Sequence, residues 1–224
     1  MAAETGMRIG VLLGGCGLYD GSDAQESVLV LLALEAHGER PVLLAPDIPQ
    51  GRTVDHLTAS SVEGEARNVL RESARLARGT IRPLGEVPSE DLEGLIIPGG
   101  YGPVVNFSTG FAQPGVGRGI VPEVASFLRP FLMVRKPIGL VGLGEVPIRT
   151  LLGQDVDSSS LAHAPGDLTI DRERRIVHTP GFAAFSRIGD VRTGIEAMVR
   201  EVIRMMEARL GEESGSASGS KEPS

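Results

Sequence analysis

The chain has 224 residues, 41% of them hydrophobic, and a formal net charge of -7. That apolar content supplies one sizeable core, so the length favours one domain over two, and the negative field excludes nucleic-acid and membrane-surface partners as expectations. The one cysteine, Cys16, precludes an internal disulfide or a cysteine-cluster metal site and fits a reducing compartment. No apolar run approaches the ~20 residues that span a bilayer, and Met1 to Gly6 carries no basic region ahead of a long apolar stretch, as a secretory signal would, so a cytoplasmic location is expected.

Arg8 to Leu13 is a short apolar run ending at Gly14-Gly15, the pattern of a strand buried on both faces. After the Gly14–Gly21 turn, Ser22 or Asp23 can cap a helix from Ala24 to His37, with Gly38 as terminator. Pro41 to Ala45 reads as a second strand. Gly51 to Val62 is less regular, and a helix is expected from Gly64 or Glu65 to Arg78. Leu95 to Ile97 is a buried strand halted by Pro98-Gly99-Gly100. A helix over Val121 to Val134 carries Pro130 inside it, which predicts a kink or break. Pro137 to Val141 gives another strand, and Leu168–Ile170 with Arg175–His178 bracket a turn as a hairpin-like pair. Val191, Ile195, Met198, Val199 and Val202 follow helical spacing in a long closing helix over Gly189 to Leu210.

Short buried strands alternating with helices predict an α/β fold, a flavodoxin-like, doubly wound and mostly parallel sheet sandwiched by helices. The expected organisation is a flexible stretch at 1–6, one domain over 7–210, and a low-complexity, disordered tail at 211–224. Pockets in such sheets form at the carboxyl ends of strands. Here those ends are Gly14–Gly21, Pro98–Tyr101 and Gly142–Gly144, all rich in glycine.

Several segments in order resemble one family: Gly15-Cys16-Gly17-Leu18-Tyr19-Asp20-Gly21-Ser22 with Glu26; His56-Leu57-Thr58; Arg67-Asn68-Val69-Leu70; Pro98-Gly99-Gly100-Tyr101-Gly102 with Asn106; and Lys136-Pro137-Ile138-Gly139. They are similar to ElbB-type proteins, a branch of the ThiJ/PfpI, or class-I glutamine-amidotransferase-like, superfamily. The resemblance implies a flavodoxin-like sandwich, a homodimer and no added cofactor. It also implies a glyoxalase-type conversion of small dicarbonyls to hydroxy acids, and a link by name to isoprenoid biosynthesis. It places that chemistry on a cysteine at a strained strand-to-helix elbow, assisted by a carboxylate that maps to Glu26. The relatives' elbow reads Gly-Phe-Met-Cys-Ile-Ala-Pro; this chain reads Gly139-Leu140-Val141-Gly142-Leu143-Gly144-Glu145, so the cysteine slot falls on Gly142.

Glycine accepts elbow geometry with little strain but cannot form a thiohemiacetal. Three readings stay open: a weakly active or non-catalytic protein whose pocket is reused to bind a small carbonyl or carboxylate metabolite, a structural or regulatory homodimer in which the pocket is irrelevant, or an active enzyme using Glu26 with Cys16 or water. Glu26 is a candidate general base, or a proton donor if burial raises its pKa, against the plainer role of complementing a helix dipole. Cys16 is an alternative nucleophile if nearby amides lower its pKa, or a small buried hydrophobe. Gly99, Gly100 and Tyr101 form a turn whose amides can hold an oxyanion or a carboxylate, or an ordinary Pro-Gly turn. Asn106, Gly142 and Leu143 are expected to line the same pocket. Gly15-x-Gly17 lacks the third small residue and the distant acid of a dinucleotide loop. Arg67, Arg71, Arg75 and Arg78 read as one basic, salt-bridged helical face. His37, His56, His163 and His178 have no metal-ligand spacing, so no metal is expected.

Overall fold

The computed structural model describes residues 6–109, 119–154 and 164–218. In chain order the elements are β1 (Arg8–Leu12), α1 (Ala24–Ala36), β2 (Arg40–Ala45), β3 (Val54–Asp55), β4 (Ser60–Ser61), α2 (Val69–Leu76), β5 (Arg82–Pro83), β6 (Gly94–Ile97), α3 (Gly102–Val105), β7 (Ser108–Thr109), β8 (Gly119–Ile120), α4 (Pro122–Met133), β9 (Ile138–Val141), α5 (Val146–Leu151), β10 (Thr169–Asp171), β11 (Ile176–Thr179) and α6 (Ile188–Ser218).

Seven strands form the central sheet in the order β10-β11-β9-β6-β1-β2-β5. All its pairings are parallel except β10 with β11. The chain runs from β1 outward to β2 and β5, then returns to lay β6 on the other side of β1. That reversal opens a crevice at the carboxyl ends of β1 and β6. The doubly wound expectation therefore holds.

The strands are apolar on both faces because both faces are covered. Ile9, Val11, Ile96, Val141 and Val177 pack with α1 and α6. Leu12, Leu95, Ile97, Ile138 and Leu140 pack on the other side with Val124, Phe127, Leu128 and Phe131 of α4. Glycines set the spacing on the α6 side: a Cβ on Gly139 would sit 2.7 Å from Met198 Sδ, and one on Gly94 2.6 Å from Met206 Sδ. Both contacts are closer than real Cβ atoms make, so α6 lies against the bare backbone.

α1 begins where its cap dictates. Asp23 Oδ1 accepts from the amides of Gln25 at 2.8 Å and Glu26 at 3.0 Å, and Gly38, at φ +75°, ends the helix in the left-handed region.

Four local expectations are corrected. The helix expected from Gly64 or Glu65 starts at Val69, because Asn68 caps it by accepting from Arg71 N at 3.0 Å. Arg67 precedes this helix and Arg78 turns left-handed beyond it, so the four arginines do not share one helical face. α4 runs through Pro130 without a break; the carbonyl deprived of its partner belongs to Ser126, which is exposed to water. α6 continues past Leu210 through Gly211 to Ser218, with Arg175 bonded to Glu212 at 2.6 Å and Arg209 to Glu213 at 2.7 Å. Residues 1–5 and 219–224, parts of the expected flexible ends, lie outside the described residues, as does His163.

Candidate functional site

Four strand ends converge on one carboxylate. Glu26 projects from the first turn of α1, the helix that follows β1, and is 2% exposed. Its Oε2 accepts from Gly99 N, just beyond β6, at 3.0 Å. Its Oε1 accepts from Phe182 N, beyond β11, at 2.8 Å. Burial pushes its pKa up to about 7; the nearby Asp23 charge adds to the rise, and the Phe182 and Gly99 amides oppose it. The group therefore exchanges its proton near neutrality, where a general acid or base works best.

Three glycines frame this carboxylate, and they are not equivalent. A Cβ on Gly99 would collide with Glu26 Oε2, and one on Gly181 with Oε1. Those two positions must lack a side chain for the carboxylate to sit where it does. Gly142, which ends β9, has φ +47°, a left-handed conformation. A Cβ there would meet only Pro180 O at 3.2 Å and Glu26 Oε1 at 3.9 Å. A side chain there would press on the Pro180 carbonyl but, unlike one on Gly99 or Gly181, would not collide with the carboxylate.

The elbow is tethered from behind. His178 on β11 donates from Nε2 to Gly142 O at 3.2 Å, which sets its tautomer because the carbonyl can only accept. Burial holds this imidazole below its ordinary value, against the pull of Glu145. Glu145, itself buried, pairs with Arg149 one turn further on. Beside Phe182 an open hollow of about 440 Å³ is walled by Gly17, Leu18, Asp23, Ala24, Gln25 and His56.

The expected site residues divide into two groups. Glu26, Gly99 and Gly142 come together as described. Leu143 follows the elbow and is half-buried. Gly100, at φ +78°, has no room for a Cβ against Asp23 N and locks the β6 turn to the α1 cap. Tyr101 is 41% exposed, with the Arg52 guanidinium 5.5 Å from its ring centroid. Only the Gly99 amide of this turn is seen to serve a carboxylate, and that carboxylate is Glu26.

Asn106 does not line the pocket as expected. It is buried and fully employed: Nδ2 donates to Gly14 O at 2.7 Å and Asp20 O at 2.9 Å, and Oδ1 accepts from Gly51 N at 2.8 Å. It is a clamp on the first loop.

Cys16 is not activated. Burial first, then Glu72 and Asp20, push its thiol up, and only Arg75 opposes them. Glu72 and Arg75 lie on α2 and Asp20 in the loop after β1, and Glu26 is not among these charges.

The residues missed in sequence are Phe182, Gly181 and His178. Thr179-Pro180-Gly181 was a legible signal, being a fourth strand end with a Pro-Gly turn like that after β6. Among the described residues, no group of three or more His, Cys, Asp or Glu side chains gathers as metal ligands, and no helix is long and apolar enough to cross a membrane.

The fold and site define a doubly wound α/β domain with a strand-end elbow facing a buried glutamate. No family model matches the chain. It is 32% identical over 223 residues to the human glutamine amidotransferase-like class 1 domain-containing protein 3, mitochondrial, covering 88% of this chain and 83% of that one. It is 31% identical over the same length to the rat ES1 protein homolog, mitochondrial, covering 88% and 84%. The crystal structure of an isoprenoid biosynthesis protein with an amidotransferase-like domain from Ehrlichia chaffeensis superposes with a TM-score of 0.81 at 31% identity, covering 89% of this chain and 100% of that one. The chain belongs to this ElbB/ES1 family of class-I glutamine-amidotransferase-like, ThiJ/PfpI-type proteins.

The same comparison corrects the expected location. Both curated relatives are named as mitochondrial, which overturns a plain cytoplasmic assignment. Sparse cysteine bears on oxidising against reducing compartments; it does not separate one reducing compartment from another.

Proposed function

We propose that this chain binds compact carbonyl compounds at the β9 elbow against Glu26, and that on the free carbonyl it is weakly active or non-catalytic. The observation that carries this reading is the Gly142 elbow set beside a buried carboxylate whose pKa is raised to about 7. The first carbon of an elbow side chain would lie 3.9 Å from Glu26 Oε1 and 3.2 Å from Pro180 O. In its protonated form, populated below its pKa of about 7, Glu26 can donate a hydrogen bond to a carbonyl oxygen placed there. No covalent thiohemiacetal with the chain can form at the elbow, because Gly142 stands where the resemblance places the relatives' cysteine. The alternative, with Cys16 as the nucleophile, is disfavoured by its raised pKa and by the acidic groups around it.

Amide-resolved NMR titration with methylglyoxal tests the reading. Saturable shifts are expected at the Gly99 and Phe182 amides, with affinity falling as pH rises through about 7. Absence of saturable shifts at those amides would remove it.

A further inference from the structure

We infer that His56 is a proton-operated latch between the β3–β4 hairpin and the loop after β1. Neutral, it holds that loop's backbone; protonated, it lets the backbone go and turns its new N–H to Asp20. The latch works independently of carbonyl binding at Glu26. The hairpin is a two-stranded sheet of its own, with Leu57 between its strands 93% exposed. At its base, Val54 N donates to Asp20 Oδ2 at 2.8 Å, and Arg52 just before it donates to Tyr19 O at 2.6 Å. His56 fastens the stretch beyond them.

The hydrogen bonds of His56 fix where its proton sits. Its Nδ1 lies 3.1 Å from Val54 O, which can only accept, so Nδ1 carries the hydrogen. Its Nε2 receives the amides of Leu18 at 2.8 Å and Tyr19 at 3.3 Å, so Nε2 offers its lone pair. A second proton, on Nε2, would point at two N–H groups and must break both bonds. An acceptor for it is already in place. Asp20 Oδ1 is fully buried, takes no hydrogen bond from the described residues, and stands 3.7 Å from Nε2. Gly17, at φ +144°, keeps the gap clear: a Cβ on it would lie 2.6 Å from His56 Nε2 and 2.8 Å from Asp20 Oδ1. One added proton thus exchanges two amide bonds for an imidazolium–carboxylate bond, the stronger, charge-assisted kind.

Other charged and titratable groups surround the pair. Arg67 lies 4.0 Å from Asp20 Oδ2 and is shared with Glu65 and Glu72, and Asp20 also bears on the Cys16 thiol. The Tyr19 ring centroid is 5.2 Å from that of His56. Asp55 precedes His56 and accepts from Leu57 N, and Asp23 shares the hollow beside Phe182 with His56. Gly17, Leu18 and His56 together wall that hollow, so releasing Leu18 and Tyr19 loosens the wall, and pH sets the shape of its mouth.

Nitrogen NMR of the full chain from about pH 8 to about pH 5, the range in which histidines change charge, tests the latch. At the alkaline end His56 must show a protonated Nδ1 and a bare Nε2. On acidification Nε2 gains its proton. Hydrogen exchange at the Leu18 and Tyr19 amides, corrected for the intrinsic effect of pH, is expected to rise about tenfold with the same midpoint. His56→Gln offers an acceptor that does not titrate, so its Leu18 and Tyr19 amides should stay protected throughout. Asp20→Asn removes the waiting charge and should move the release to lower pH. Glu26 titrates within the same range, but its reporters are the Gly99 and Phe182 amides, whose course should be unchanged in His56→Gln. The opposite tautomer at the alkaline end overturns the latch. So does amide exchange that ignores the His56 titration, a release that persists in His56→Gln, or one that keeps its midpoint in Asp20→Asn. Should either variant fail to fold, the tautomer and the shared midpoint in the unmodified protein decide the outcome by themselves.

Discussion

The loop after β1 and the elbow after β9 are both glycine-rich strand ends on the same rim of the sheet, yet they are held by different partners. In the first loop, every turn is tied to something. Gly14 N donates to Ser22 Oγ at 2.8 Å, Gly15 N to Ser73 Oγ at 2.9 Å, and Leu18 N to His56 Nε2 at 2.8 Å. Asn106 holds three backbone groups of this loop and its neighbour. Its glycines are there to let backbone and clamps approach; a Cβ on Gly17 would lie 2.6 Å from His56 Nε2. The elbow has the same composition but stands beside a carboxylate with an exchangeable proton, 3.9 Å from where a Cβ on Gly142 would lie. Glycine content marks where backbone comes close to something. Whether that something is the protein or a ligand depends on the partners packed around it.

The sharpest way to break this contrast is at the clamp. Asn106→Ala strands the carbonyls of Gly14 and Asp20 and the amide of Gly51 without partners, and is expected to cost about 3–5 kcal/mol in urea unfolding. An effect below ~1 kcal/mol would mean that the loop is not held as described.

The next test is pH. The folded state keeps the Glu26 proton up to about pH 7, whereas an exposed glutamate releases it near the ordinary value of 4.5. Its contribution to stability is therefore full below about pH 4.5 and is lost as pH rises to about 7, a change of about 3 kcal/mol. The difference in unfolding free energy between the unmodified protein and Glu26→Gln isolates this contribution from the other carboxylates. It should shrink by that amount between pH 4.5 and pH 8; a constant difference would show Glu26 to be an ordinary acid.

The smallest expected effect separates the glycines. Gly181→Ala drives a methyl into Glu26 Oε1 and should cost about 2–3 kcal/mol. Gly142→Ala bears the left-handed backbone and a 3.2 Å contact with Pro180 O but no collision with the carboxylate, about 1 kcal/mol. Equal costs in thermal unfolding would sink the distinction between the more and the less crowded side of the carboxylate.

Much of the scaffold was legible because its signals are local. The buried strands, the Asp23 cap, the Gly38 terminator and the hairpin of β10 and β11 each follow from a few adjacent residues, and their alternation carries the doubly wound topology. Helix boundaries were less so. The start of α2 turned on a competition won by the Asn68 cap, and the far end of α6 rests in part on Arg175, distant in sequence, bonding to Glu212. Within the site, Glu26 and Gly142 were visible through family resemblance and strand-end placement. The second amide on Glu26 was not, since Phe182 is 156 positions away from it along the chain.

By itself the sequence determined the secondary-structure plan, the identity of the elbow residue as glycine and the presence of an acid in the first turn of α1. Only the tertiary structure decided that this acid would be buried between two amides with its pKa raised, that Asn106 would be a clamp and Cys16 an unactivated thiol. The reason is physical. A propensity or a cap is a property of neighbours along the chain, whereas desolvation, hydrogen-bond satisfaction and free volume are set by atoms that meet only after the sheet has closed.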